Sequence, residues 1–188
     1  MIYHLAPNGK IGLVLANGAL STQTSGEGEI RRKIIEADLI EGIVALPDKL
    51  FYTTGIPVTL WFITRNKKQP GKTLFIDARK LGTPADRTHS EMTDDNIDKL
   101  SKAFSDFQNG TLKDQKGFCA IVDTAKIAQE SFVLTPGRYV GIEEQENDGE
   151  PFDEKMSRLT TELSELFSKN NELERQIKKN LEGIEFKI

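Results

Sequence analysis

Residues Val58-Thr59-Leu60-Trp61-Phe62-Ile63 are six consecutive aliphatic, β-branched or aromatic positions. No polar alternation remains, so this run is too apolar for a strand with one wet face and predicts an inner strand covered on both sides. A second apolar segment, Ile43 to Leu46, precedes it and ends at Pro47, which cannot donate to a ladder. Between the two strands lies a loop with two large aromatics, Phe51 and Tyr52. Loops carried on a rigid sheet are where binding groups concentrate. The plainer reading is that Phe51 plugs the sheet edge, and pattern alone leaves both readings open.

Upstream, Met1 to Leu5 read as the last turn of a helix, Pro7-Asn8-Gly9 as a turn, and Ile11 to Ala16 as a buried strand ending at Asn17-Gly18. The tail of a helix feeding an inner strand is an unusual way for a domain to open, so further chain upstream is expected. Gly26 to Ala37 follows as a helix, with Ile30, Ile34 and Ile35 inward and Arg31, Arg32 and Glu36 outward. Leu39 to Leu46 is the next strand. Strand, helix and strand with a right-handed crossover predict an α/β sheet.

Past the apolar run, Arg65 to Lys72 read as a polar turn and Thr73 to Asp77 as a short edge strand. That strand is expected to form an antiparallel hairpin with Val58 to Thr64, making the sheet mixed. After a polar loop from Leu81 to Met92, Thr93 is the N-cap of a helix with Asp94 and Asp95 in its first turn. This helix turns Ile97, Leu100, Phe104 and Phe107 to the core and stops at Asn109-Gly110. A strand around Cys119, a short helix capped by Asp123, and a packed turn from Phe132 to Gly141 interrupted by Pro136-Gly137 complete this part.

The composition changes beyond it. Residues 142–153 are an acidic linker, and 154–188 are strongly helical. Met156, Leu159, Leu163, Leu166, Asn170, Leu173 and Ile177 recur at alternating steps of three and four. That is the seam of a coiled-coil-type helix, with polar Asn170 at a position that commonly fixes register. A helix lying back on its own domain is the alternative; the linker and the narrow stripe favour a partner's helices.

With 188 residues, 37% hydrophobic and 29% charged, the chain has room for one domain and an appendage. No apolar run approaches the ~20 residues of a membrane span, and no secretory signal opens the chain. The lone Cys119 permits no internal disulfide, which fits a reducing, cytoplasmic setting. A net charge of −4 argues against a protein that coats DNA by itself. Local basic clusters at Arg31-Arg32-Lys33, at Arg65, Lys67 and Lys68, and at Arg79-Lys80 read first as solvated faces. One Cys with His4 and His89 cannot supply a metal cluster. Gly26-Glu-Gly28-Glu-Ile-Arg31 lacks the third glycine of a phosphate loop.

The segments LVLANGALST at 13–22, GEGEIRRKIIEADLIEGIVALPDKLFYTTGIPVTLWFITR at 26–65, LFIDARKLG at 74–82 and LTPGRYVG at 134–141 together resemble the modification (methylase) subunit of type I restriction–modification systems. These are gamma-class N6-adenine DNA methyltransferases. The resemblance covers nearly the whole chain and corresponds to the C-terminal half of that subunit. The family's glycine-rich S-adenosylmethionine loop and Asn-Pro-Pro-aromatic tetrapeptide are absent here: no two of the seven prolines are adjacent. The implied architecture is the C-terminal part of a Rossmann-like S-adenosylmethionine-dependent methyltransferase sheet over 1–141, followed by a helical subunit-assembly segment.

The resemblance implies that Phe51, with Tyr52 as the fallback, stacks on a flipped-out adenine and that Asn17 lies near the same cleft. Arg65, Lys67 and Lys68 are weaker candidates for the DNA backbone, and no residue is assigned a catalytic or metal-binding role. The implied partners are the specificity subunit, a second methylase subunit, the restriction subunit, and double-stranded DNA through the assembled complex. S-adenosyl-L-methionine is the cofactor of the intact subunit; the chain alone is expected neither to bind it nor to methylate DNA. The competing expectation is a non-enzymatic subunit-interaction module.

Overall fold

A computed structural model describes residues 1–142 and 151–182. The chain divides into two compact units, Met1–Glu144 and Gln145–Ile188, and most of the predicted linker at 142–153 lies outside the described residues. The first unit is a mixed α/β fold. Its main elements are β1 (Lys10–Ala16), α1 (Glu27–Glu36), β2 (Ile40–Ala45), β3 (Val58–Thr64) and β4 (Lys72–Asp77). They continue with a two-residue ribbon β5 (Thr83–Pro84) and β6 (Ser90–Glu91), then α2 (Asp94–Asn109), β7 (Cys119–Asp123) and α3 (Thr124–Gln129).

The five long strands lie in the order β1-β3-β2-β4-β7. Strand β3 runs antiparallel to both neighbours, pairing Ala16 with Val58 on one side and Ala45 with Thr59 on the other. Strands β2 and β4 are parallel, and β7 is antiparallel to β4. Hence β1, β2 and β4 point one way, with β3 inserted between the first two. The apolar run accordingly lies inside the sheet, as its composition predicts. Trp61 and Ile63 join one core with Ile35, Ile43, Phe75, Ile127 and Leu134, on the face that carries α1 and α3. Leu60 and Phe62 pack on the opposite face with Val44, Leu74, Ile76 and the α2 side chains Ala103 and Phe107.

At Gly42 a Cβ would come within 2.9 Å of the Phe104 ring, so only glycine lets α2 sit this close. Helix α2 begins as predicted, Thr93 accepting a hydrogen bond from Asn96 N–H, and ends at Gly110 in the left-handed conformation at φ 74°. Its face is less uniform than predicted, because Ile97 remains 48% exposed.

Three expectations are corrected. The hairpin between β3 and Thr73–Asp77 does not form: β4 lies on the far side of β2, an interior strand with Leu74, Phe75 and Ile76 fully buried. The connection explains the displacement, since Asp38, just before β2, binds the Lys67 ammonium and accepts from Gly71 N–H at 2.8 Å. That bridge carries the chain past β2, where the three apolar residues of β4 are covered on both faces. Strand β1 is not buried but forms one edge of the sheet, alternately exposed and half-buried.

The third correction is helix α1. Arg31, read as outward, is 3% exposed, whereas Ile30 is 59% exposed. Arg31 shares a face with Ile34 and Ile35 at spacings of three and four. Its guanidinium donates to Phe132 O at 2.7 Å, Thr22 O at 3.0 Å and Ala19 O at 3.2 Å. One cation thus ties α1 to the segment after β1 and to the turn after α3. Burial lowers its pKa, partly offset by Glu27.

The second unit is described over α4 (Phe152–Glu182), a helix of about 46 Å at 1.5 Å per residue. Its apolar stripe is open: Met156, Leu159, Leu163, Leu166, Leu173 and Ile177 are each between 42 and 56% exposed.

Arg31→Ala should lower stability by about 3 kcal/mol, because deleting a charged donor orphans carbonyls at ~1–3 kcal/mol each. Urea unfolding measures this; a change within about 0.5 kcal/mol, the range of ordinary surface substitutions, would contradict the role given to Arg31.

Candidate functional site

Strands β1, β2 and β4 all end at one edge of the sheet, at Ala16, Ala45 and Asp77, and β3 begins there at Val58. In open α/β sheets ligands bind outside the carboxyl ends of the strands. The segments leaving this edge are the turn after β1, the loop of residues 46–57, and the loop of residues 78–93.

Loop 46–57 presents three of its large side chains outward. Phe51 is 43% exposed, Ile56 55% and Tyr52 91%, so Phe51 is not a buried plug. Few bonds hold the loop from within: Thr54 N–H reaches Phe51 O at 3.4 Å, and Ile56 N–H reaches Thr54 Oγ1 at 3.3 Å. Asn17 lies at the same edge, immediately after β1, and its Oδ1 is buried with no hydrogen-bond partner among the described residues.

Loop 78–93 carries charge to this edge. Arg79 clamps Asp77 with Nε at 2.8 Å and Nη2 at 2.6 Å. Burial works to raise the Asp77 carboxyl, but the bonds and charge from Arg79 outweigh it and hold its pKa below the ordinary carboxylate value. Further on, Asp86 Oδ2 lies 2.7 Å from His89 Nδ1. That hydrogen bond lowers the Asp86 pKa and raises the His89 pKa. The His89 ring in turn faces Tyr52, with ring centroids 5.0 Å apart.

A distant segment reaches the same place. Residues 134–141 include the turn Pro136–Arg138, in which Pro136 is buried. A Cβ on Gly137 would stand 3.2 Å from Arg79 Nη2 and 3.7 Å from Asp77 Oδ2, so this turn lies against the carboxyl end of β4. Tyr139 stacks on Phe75 at 4.2 Å and donates its hydroxyl to Val133 O. Burial pushes its pKa up to about 12. Its part is scaffolding.

The basic candidates lie elsewhere. Arg65, Lys67 and Lys68 follow the other end of β3, six residue steps and about 20 Å from Val58 at ~3.3 Å per residue. Arg65 donates to Ile2 O at 3.1 Å. The Lys67 side chain is 3% exposed and bound to Asp38, which makes it part of the fold rather than a solvent-facing cation. The structure therefore brings Phe51, Tyr52 and Asn17 to one edge and separates them from the basic cluster. It adds the Asp77–Arg79 pair at the end of β4 and the Asp86–His89 pair, whose His89 reaches Tyr52, an approach with no local signature in the sequence.

Residues 1–148 match the family model described as N-6 DNA Methylase. The chain is 54% identical over 185 residues to the Type I restriction enzyme HindI methylase subunit of Haemophilus influenzae, covering 98% of this chain and 42% of that protein. It is 44% identical over 190 residues to the Type I restriction enzyme MjaIX methylase subunit of Methanocaldococcus jannaschii, covering 98% and 34%. Among solved structures, the type I restriction-modification system methyltransferase subunit from Streptococcus thermophilus superposes with a TM-score of 0.67 at 29% identity, covering 76% of this chain and 29% of that one. The chain thus spans less than half the length of each of these relatives.

Proposed function

The chain belongs to the N-6 DNA methylase family, and from that premise we propose that it forms the C-terminal part of the modification subunit of a type I restriction–modification system. In that subunit, an S-adenosyl-L-methionine-dependent adenine-N6 DNA methyltransferase, it supplies the wall that receives the target base and the helix that joins the assembly. The observation that carries this reading is the meeting, at one carboxyl edge, of an outward aromatic loop, an unpaired Asn17 acceptor and the turn of LTPGRYVG. Three parallel strands interrupted by antiparallel β3 are consistent with the far half of a Rossmann-like methyltransferase sheet.

The chemistry is recognition. An adenine drawn out of a duplex loses a few kcal/mol of stacking and pairing, and an aromatic side chain returns ~1–3 kcal/mol by stacking on it. Phe51 has the exposed apolar ring for this, with Tyr52 beside it. Asn17 Oδ1 lies buried beside this edge without a hydrogen-bond partner among the described residues. The residues at this edge do not fit S-adenosyl-L-methionine. Asp77 is engaged by Arg79 and Asp86 by His89, which leaves neither to grip ribose hydroxyls or face a sulfonium. The two large apolar grooves, of about 620 and 520 Å³, lie on the faces of the sheet instead. In this reading the cofactor is held by the remainder of the intact subunit.

The open stripe of α4 supports a bundle with helices of the specificity subunit, Asn170 setting the register. A second methylase subunit, the restriction subunit and double-stranded DNA then meet this chain through the assembled complex. The same stripe is what favours the second reading, a subunit-interaction module without catalysis.

In the intact subunit Phe51→Ala should lower methylation kcat/KM roughly 5- to 150-fold, the rate equivalent of ~1–3 kcal/mol, with cofactor affinity unchanged. Unaltered kinetics would remove Phe51 from the site. Leu166→Asp should abolish co-purification with the specificity subunit while circular dichroism of the chain stays the same; retained co-purification would refute the assembly role of α4.

A further inference from the structure

We propose that His89, gripped by Asp86, is a positioning residue for the target-base wall: it holds loop 46–57 through Tyr52, so that Phe51 meets the base at a fixed place. The inference rests on the base-stacking reading above and deepens it. Loop 46–57 has two weak internal bonds and three outward apolar or aromatic side chains, so its conformation is set from outside. Loop 78–93 touches it at three points. Gly82 lies against Pro47, where a Cβ would come within 2.8 Å of Pro47 Cγ. Ser90 N–H donates to Lys49 O at 2.9 Å, and Lys49 takes a left-handed φ of 59°, a conformation that costs energy and persists only when neighbours impose it. His89 makes the third contact, its ring 5.0 Å from the Tyr52 ring at a tilt of 55° and its Nε2 3.5 Å from Tyr52 O.

The bracket itself is locked. Asp86 Oδ1 accepts from Thr88 N–H at 2.6 Å, Thr88 Oγ1 at 2.9 Å and His89 N–H at 2.8 Å, while Oδ2 takes His89 Nδ1 at 2.7 Å. Asp86 thus spans the turn and fixes the orientation of the imidazole. With Nδ1 turned to a carboxylate and Nε2 to a carbonyl, both ring nitrogens face acceptors, an arrangement that suits an imidazolium. The imidazole touches the Tyr52 ring at a tilt, and the Tyr52 side chain otherwise stays open to solvent at 91% exposure. A misplacement of about 1 Å in a substrate-positioning group can cost on the order of 10²-fold in rate, so slack in this loop would appear in turnover before it appeared in stability.

The test is made in the assembled methylase complex, with 2-aminopurine at the target-adenine position of the DNA. His89→Ala and Asp86→Ala are each expected to lower kcat about tenfold, within that ceiling, to change the fluorescence of the extruded base, and to leave KM for S-adenosyl-L-methionine as it was. Phe51→Ala is measured alongside. Loss with Phe51→Ala and none with His89→Ala or Asp86→Ala overturns the bracket and keeps the stacking reading. No change in any of the three overturns the stacking reading and the bracket with it. Loss with His89→Ala and Asp86→Ala alone supports the bracket and transfers the stacking role to Tyr52. Should His89→Ala fail to fold, Asp86→Ala decides, since it removes only an exposed carboxylate and leaves the imidazole present but no longer gripped.

Discussion

Thr59 is fully buried near the start of the inner strand β3. Its hydroxyl donates to Leu15 O of β1 at 3.2 Å and accepts from Trp61 Nε1 at 3.0 Å. The first bond ties β3 to β1 and the second is internal to β3; the antiparallel ladders on both sides hold β3 between two parallel strands, and the rest of the first unit follows from the insertion. Because β3 runs against its neighbours, its first residue meets the last residues of β1 and β2, and the chain linking β2 to β3 must emerge at the carboxyl edge. An aromatic loop therefore stands where α/β sheets bind ligands. The same strand separates that edge from the basic cluster after Thr64.

What gathers at the edge is a set of exposed aromatic and paired charged side chains on a rigid support. Buried Pro136, the stacking of Tyr139 on Phe75 and the approach of Gly137 to Asp77 and Arg79 put the LTPGRYVG turn to structural use. Residues 134–141 and 46–57, far apart in sequence, come to the same edge of the sheet because β2 and β4 are parallel neighbours. The aromatic side chains stay exposed at a cost in apolar hydration, an arrangement better explained by a flat partner than by stability. In the proposed function that partner is the target adenine, and Phe51 and Tyr52 are the side chains placed to meet it.

Much of the fold was legible because it depends on composition and on local caps. Val58 to Ile63 predict an inner strand, Thr93 and Gly110 bracket α2, and the heptad leucines mark α4. Two of the three errors share one cause: they turn on contacts between residues far apart in sequence. The place of β4 depends on Lys67 reaching Asp38, and the orientation of α1 on Arg31 reaching Phe132 O, 101 residues away. A pattern reading takes both cations as solvated, because burial of a charge is intelligible only once its partners are known. The site divides in the same way. Phe51 and Tyr52 stand out as aromatics in a polar loop, whereas Asp86 and His89 look ordinary until the fold brings them against Tyr52.

The central claim is that loop 46–57 receives the target base. Its most direct test is a photochemical cross-link from a photoreactive base placed at the target-adenine position and irradiated in the assembled complex with S-adenosyl-L-methionine bound. The account predicts an adduct on the peptide that carries Phe51 and Tyr52. An adduct formed elsewhere in the subunit, with none on residues 46–57, would contradict it.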